Sequence, residues 1–277
     1  MSSSSSLWRR LQKFTQQTFS SSAILLQPQS PSCAVCGSRD GKTPRHDRFP
    51  QLCGRCYGKI PWITQMFCPV CGRPEWCPDC IRRTGTAFVC NRSAVRYDPV
   101  IRQWLALYKY RGNEGLLPLL GEMMAMAYRG MIAELSLTSQ EQVQIHGLIP
   151  VPVSEERLLE RGFNQAEQLG SYLAGSERLA LYDILHRTRH SDKQSFKTRG
   201  ARLRDTEQLF AADLHAAAAM LDSFNSSGLK TLRLLIIDDI YTTGSTANSC
   251  AQALAEALKS LAPALPVRIY ILTLARS

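Results

Sequence analysis

The sequence predicts an α/β fold: a parallel sheet with helices on both faces, preceded by a small cysteine-rich, zinc-binding domain. Three observations carry this prediction. From residue 98 onward, helical patterns alternate with short apolar runs. One of those runs, Leu232 to Ile237, is almost wholly apolar, as a central strand covered on both faces must be. Ahead of them, eight of the ten cysteines form four Cys-x-x-Cys pairs.

A chain of 277 residues allows one or two domains. No apolar run approaches the roughly 18 residues of a membrane-spanning helix, so an integral membrane protein is excluded. The net charge of +10 is unevenly placed. Residues 1–97 carry 14 basic and 4 acidic side chains, and residues 98–277 carry 19 of each. A basic N-terminal third on a near-neutral body points to a polyanion as partner. Residues 1–30 read as a separate extension, disordered or amphipathic. Leu7, Trp8, Leu11 and Phe14 fall at helical spacing with Arg9, Arg10 and Lys13 between them.

Residues 31–97 form the cysteine-rich domain. The pairs are Cys33/Cys36, Cys53/Cys56, Cys68/Cys71 and Cys77/Cys80. Two thiolates separated by two residues can turn onto one tetrahedral ion, whereas a disulfide framework has no reason to repeat that spacing. Gly37 and Gly72 follow the second cysteine of a pair, as in zinc knuckles. Sequential pairing gives one site from Cys33, Cys36, Cys53 and Cys56 and a second from Cys68, Cys71, Cys77 and Cys80; an interleaved arrangement is also open. Four thiolates leave no position for water, so the zinc, one ion or two, is structural. With few large aliphatics, the region should couple folding to metal binding. No secretory signal precedes the cysteines, so a reducing, cytoplasmic location is expected. Cys90, in Phe88-Val-Cys-Asn91, reads as a buried small hydrophobe on a strand.

In the body, residues 98–277, helices are expected over 99–111, from Gly115 to about Leu135, from Asn164 to about Leu173 and over 245–261. Strands are expected over 145–151, 232–237 and 267–274. The most informative run is Leu234-Leu-Ile-Ile-Asp238-Asp239-Ile-Tyr-Thr242-Thr243-Gly244-Ser245-Thr246. A buried strand ends in two carboxylates, and a loop of hydroxyl residues with one glycine opens a helix. Open parallel sheets bind ligands at this end of their strands. The loop turns N–H groups and hydroxyls into a helix N-terminus, where phosphate is favoured. The acids would repel phosphate, so they suit vicinal ribose hydroxyls or a magnesium ion. No lysine follows Gly244, so this is not a Walker loop.

This run resembles the signature of phosphoribosyltransferases that use phosphoribosyl pyrophosphate (PRPP), with Tyr241 where an aliphatic is usual. Further motifs narrow the resemblance. They are the Cys-x-x-Cys pairs followed by Pro61-Trp62, Tyr108-Lys-Tyr110, Ile149-Pro-Val-Pro152, Arg161-Gly-Phe-Asn-Gln165, and the run from Leu185-His-Arg187 through Gln194 and Arg202 to Phe210. Together they are similar to the ComF/GntX family over about residues 31–277. Lys197 and Asp205 depart from its usual leucine and asparagine.

The resemblance implies a zinc-binding domain on a type I phosphoribosyltransferase fold, with a role in DNA uptake during natural transformation and a helicase-like partner. It implies that Asp238 and Asp239 hold the ribose hydroxyls and the magnesium that accompanies PRPP. Thr242, Thr243, Gly244, Ser245 and Thr246 would cradle the 5′-phosphate, with Arg161 near the pyrophosphate and Lys109 in the same electrostatic role. Residues 186–204 carry seven basic side chains against Asp192 alone. Arg187, Arg189, Arg199 and Arg202 are therefore expected in a hood over a polyanion, either pyrophosphate or a DNA backbone. Two functions follow: magnesium-dependent phosphoribosyl transfer to an acceptor, or a non-catalytic single-stranded DNA-binding protein in which the PRPP site is a sensor or relic.

Overall fold

A computed structural model describes residues 32–39, 46–82, 85–110, 114–188, 209–224 and 228–277. The expected N-terminal extension and the hood residues Arg189, Arg199 and Arg202 lie outside the described residues. The chain divides after Arg55 into two compact units. In the first, Gly37 N–H donates to the Cys33 carbonyl at 2.9 Å and Ala34 N–H to the Gln51 carbonyl at 2.9 Å, closing the first knuckle on itself. Phe49 and Leu52 are fully buried there.

The second unit, residues 56–277, holds a four-stranded parallel sheet: β1 (Asn91–Arg96), β2 (Gly147–Pro150), β5 (Leu232–Tyr241) and β6 (Val267–Arg276), in spatial order β1-β6-β5-β2. A separate antiparallel pair joins β3 (Leu185–Arg187) to β4 (Phe210–Ala212). Short helices α1 (Gly54–Tyr57) and α2 (Pro78–Arg82) flank the cysteine pairs. The longer helices are α3 (Pro99–Tyr110), α4 (Leu117–Ser139), α5 (Glu155–Arg161), α6 (Gln165–Glu177), α7 (Leu214–Asp222) and α8 (Ser245–Leu261).

Strand alternation puts helices on both faces of the sheet, as expected. Leu232, Leu234 and Ile236 of β5 share one buried cluster with Ala247, Cys250, Ala251, Leu254 and Leu258 of α8. Ile237 projects to the opposite face, where it approaches Gly170 of α6. The leucine and isoleucine side chains among these are fully buried, and each contributes about 1.5–3 kcal/mol of apolar transfer.

The division between compact units falls at residue 55, within the cysteine-rich region 31–97. Residues 56–97 belong with the sheet for a physical reason. Cys68, Cys71, Cys77 and Phe88 lie in the same buried cluster as β5 and α8, and β1 is itself a strand of the sheet. The polar groups that β1 buries are satisfied across the fold. Arg92 makes paired hydrogen bonds to Glu134 at 2.7 and 2.5 Å, and the Ser93 and Thr273 hydroxyls meet at 2.6 Å. Residues 155–161, for which the sequence pattern gives no element, form α5, whose side chains are exposed or half-buried and so carry no apolar periodicity.

Candidate functional site

The two metal-ligand clusters follow the sequential pairing. Ligand atoms of Cys33, Cys36, Cys53 and Cys56 lie within 4.8 Å of one another, and so do those of Cys68, Cys71, Cys77 and Cys80. All ten cysteines are free thiols. Cys90 is buried outside both clusters, and His46 belongs to neither. The donor sets suit zinc. Burial raises the cost of ionising Cys33, but the N–H groups of Cys36, Cys53 and Val35 outweigh it and lower its pKa to about 6. In the second cluster, burial and the neighbouring thiols of Cys71, Cys77 and Cys68 push the Cys80 thiol up. A divalent cation among four sulfurs removes that penalty. Each cluster could therefore hold one structural zinc.

The second knuckle is fastened to the sheet. Gly72 has φ +69°, and a Cβ there would meet the Asn91 carbonyl at 2.7 Å. The Asn91 side chain donates to the Cys71 carbonyl at 3.0 Å, and Arg92 donates to the Pro69 carbonyl at 2.9 Å.

The acidic pair lies at the C-terminal end of β5, and the strand runs on through it to Tyr241. Asp239 N–H donates to Asp238 Oδ1 at 2.8 Å. Burial, reinforced by the charge of Asp239, raises the Asp238 carboxyl well above the usual carboxylate range. Asp239 is buried and ion-paired to Lys109. Lys109 comes from the last turn of α3, which Ile101, Trp104, Leu105 and Tyr108 anchor in the core. Lys109, Arg157, Gln165, Arg187, Asp238 and Thr246 converge on one cleft of about 250 Å³.

The hydroxyl loop follows. Thr242, Thr243, Ser245 and Thr246 are exposed, while Gly244 is buried. Gly244 has φ +81°, and a Cβ there would lie 2.1 Å from the Tyr241 hydroxyl. Only glycine fits this backbone above this ring. Gly244 stands at the N-cap position of α8 and provides no side-chain cap. Ser245 N–H has a long 3.4 Å contact to the Thr243 hydroxyl. The first turn of α8 could thus offer backbone donors to an anion.

The remaining expected site residues distribute as follows. Arg187 ends β3 at the cleft rim, 5.7 Å from the Phe210 ring centre, and Leu209 and Phe210 line the same cleft. Arg161 stands one step back. It donates to Gln165 Oε1 at 2.9 Å and to the Tyr110 hydroxyl at 3.1 Å, with its guanidinium over the Tyr110 ring. Arg161 therefore reaches the cleft through Gln165, and Arg157 lines it directly. Asn164 fixes that corner: its side chain accepts from Ala166 N–H at 3.0 Å and donates to the Val151 carbonyl at 3.1 Å. Gln165 was readable only as part of its motif. Arg276, described below, carried no sequence signal.

No helix among the described residues is long and apolar enough to cross a membrane. No family model matches the chain. Two curated proteins do. The "Competence protein ComFC" of Bacillus subtilis is 28% identical over 215 residues, covering 74% of this chain and 78% of its own length. The "Competence protein ComFC" of Streptococcus pneumoniae is 29% identical over 212 residues, covering 74% and 82% respectively. The chain is thus similar to two ComFC competence proteins across about three quarters of its length, and it carries that similarity on a parallel-sheet fold with two four-cysteine clusters.

Proposed function

We propose that the chain is a PRPP-binding protein of the ComF type, acting in the cytoplasm in DNA uptake and natural transformation. One observation carries the ligand assignment: an uncapped helix N-terminus behind a hydroxyl loop, directly after two carboxylates at the C-terminal end of a parallel strand. The names of its two relatives support the competence role. In this reading Thr242–Thr246 hold the 5′-phosphate, and Asp238 and Asp239 receive the ribose hydroxyls. Arg157 and Arg187 face the pyrophosphate. Magnesium, when bound with PRPP, neutralises pyrophosphate charge. Lys109 holds the Asp239 side chain until ligand arrives.

As a transferase, the protein would bring an acceptor nucleophile to the anomeric carbon as pyrophosphate departs, with the two carboxylates stabilising positive charge on the sugar. A second reading keeps the pocket as a sensor and assigns the protein's action to single-stranded DNA. Its support is the basic run 186–204 and the basic residues ahead of residue 98. A helicase-like competence partner fits either reading.

Calorimetry of magnesium–PRPP against the wild type and Asp239→Asn tests the site. Saturable binding that the variant weakens at least tenfold is expected; equal affinity in both overturns the assignment. Neutralising Arg199 and Arg202 together should lower single-stranded DNA affinity and flatten its salt dependence by about two charges if the second reading holds. An unchanged slope rejects it. Pyrophosphate release from PRPP over a panel of acceptors, with and without DNA, separates the two readings.

A further inference from the structure

Arg276 is 3% exposed, which is costly for a cation unless its charge and donors are matched. Its position follows from strand register. Arg276 pairs with Tyr241 across β5 and β6, so the two side chains lie on the same face. The guanidinium stands over the Tyr241 ring, 4.8 Å from its centre. One terminal nitrogen donates to the Thr242 carbonyl at 2.9 Å, to the Tyr241 carbonyl at 3.3 Å and to the Ser277 carbonyl. The other lies 3.4 Å from Cys71 Sγ.

These contacts join two parts of the molecule that the sequence keeps far apart. The carbonyls belong to the base of the hydroxyl loop, and the sulfur belongs to the second four-cysteine cluster. Tyr241, on which the guanidinium lies, also sits beneath Gly244. Four thiolates around a divalent cation would retain net negative charge, so a loaded cluster would supply counter-charge for Arg276. Nearby contacts brace the same junction. Phe88 meets Tyr241 edge-on at 6.3 Å, and Ala87 N–H donates to Asn248 Oδ1 in the first turn of α8 at 2.8 Å.

We propose that Arg276 is a positioning residue that ties the loop Thr242–Thr246 to the Cys68/Cys71/Cys77/Cys80 centre, coupling loop order to metal retention. The significance of the coupling for ligand binding rests on the reading of this loop as a phosphate seat. Because coupling is reciprocal, a ligand ordering the loop should also hold the metal more tightly.

The test uses the full-length, zinc-loaded protein and Arg276→Gln, which removes the charge and the paired donors. Amide hydrogen exchange over residues 242–248 should rise at least roughly tenfold in the variant while residues 232–237 keep their protection. Zinc transfer from the second cluster to a chromophoric chelator should quicken several-fold. Wild-type loop exchange and wild-type zinc release in the variant would overturn the proposal. If the variant does not fold, the wild type decides: saturating magnesium–PRPP should slow zinc release several-fold, and unchanged release in PRPP-bound protein overturns the coupling. Calorimetry on the same sample separates the two claims. Lost loop protection in Arg276→Gln without any heat of PRPP binding would remove the phosphate seat and leave the tie standing.

Discussion

Lys109 and Asp239 make the most informative pair to break. Their side chains are 13% and 8% exposed, which places the contact among buried ion pairs rather than surface ones. In Lys109→Met the apolar stem is kept and the charge removed, so Asp239 remains as a buried carboxylate beside Asp238. Breaking such a pair by removing one partner costs about 3–5 kcal/mol. For a unit of this size, each kcal/mol lowers Tm by roughly 2–4 °C, so a fall on the order of 10 °C is expected. The double variant Lys109→Met/Asp239→Asn removes the stranded charge as well and should recover most of that loss. Urea unfolding of the wild type, both single variants and the double variant, with zinc held constant, measures the cycle. Lys109→Met unfolding within about 0.5 kcal/mol of the wild type would refute the reasoning, as would a double variant no more stable than Lys109→Met.

Three further outcomes follow from the same geometry. Gly244→Ala should cost about 2–5 kcal/mol in urea unfolding, from a left-handed backbone and a methyl group pressed onto Tyr241; a loss below 1 kcal/mol would contradict the loop geometry. Asp238→Asn should stabilise the protein increasingly as pH rises. The folded state holds the Asp238 proton more tightly than the unfolded chain does, so the wild type loses stability from the ordinary carboxylate pKa of about 4 up to the raised folded pKa. Asparagine keeps the acceptor for Asp239 N–H and never ionises; parallel stability profiles between pH 5.5 and 9 would count against a raised Asp238. Native mass spectrometry should find two zinc ions per chain, and chelation should abolish cooperative unfolding of residues 56–277, because Cys68, Cys71 and Cys77 share the core with β5 and α8. Stripped protein that still unfolds with the wild-type m-value would show that the metal is dispensable to that core.

Features with a local cause could be read from the sequence. β5 was visible because its interior is apolar on both faces, and α8 begins at Ser245 because Gly244 supplies the turn before it. The cysteine clusters were visible because ligand spacing is itself local. Features set by distant partners could not be read. β1 has the sequence Asn-Arg-Ser-Ala-Val-Arg, which is polar for a buried strand. It is held by Glu134 and Thr273, 42 and 180 residues away along the chain. Arg276 looks like an ordinary strand-end cation until Cys71, 205 residues earlier, comes to its side. Tyr241, which departs from the aliphatic usual at its position, has an explanation only once Arg276 is seen over its ring.

The proposed function depends on the carboxylate pair and the bend after it receiving a phosphorylated sugar. A crystal of the zinc-loaded protein soaked with magnesium–PRPP tests this most directly. The 5′-phosphate is expected within hydrogen-bond distance of the amides at Thr243 to Thr246, with the ribose hydroxyls on Asp238 and Asp239 and Lys109 drawn off Asp239. PRPP bound elsewhere, or a pocket in which Lys109 still holds Asp239 at saturating ligand, would contradict it.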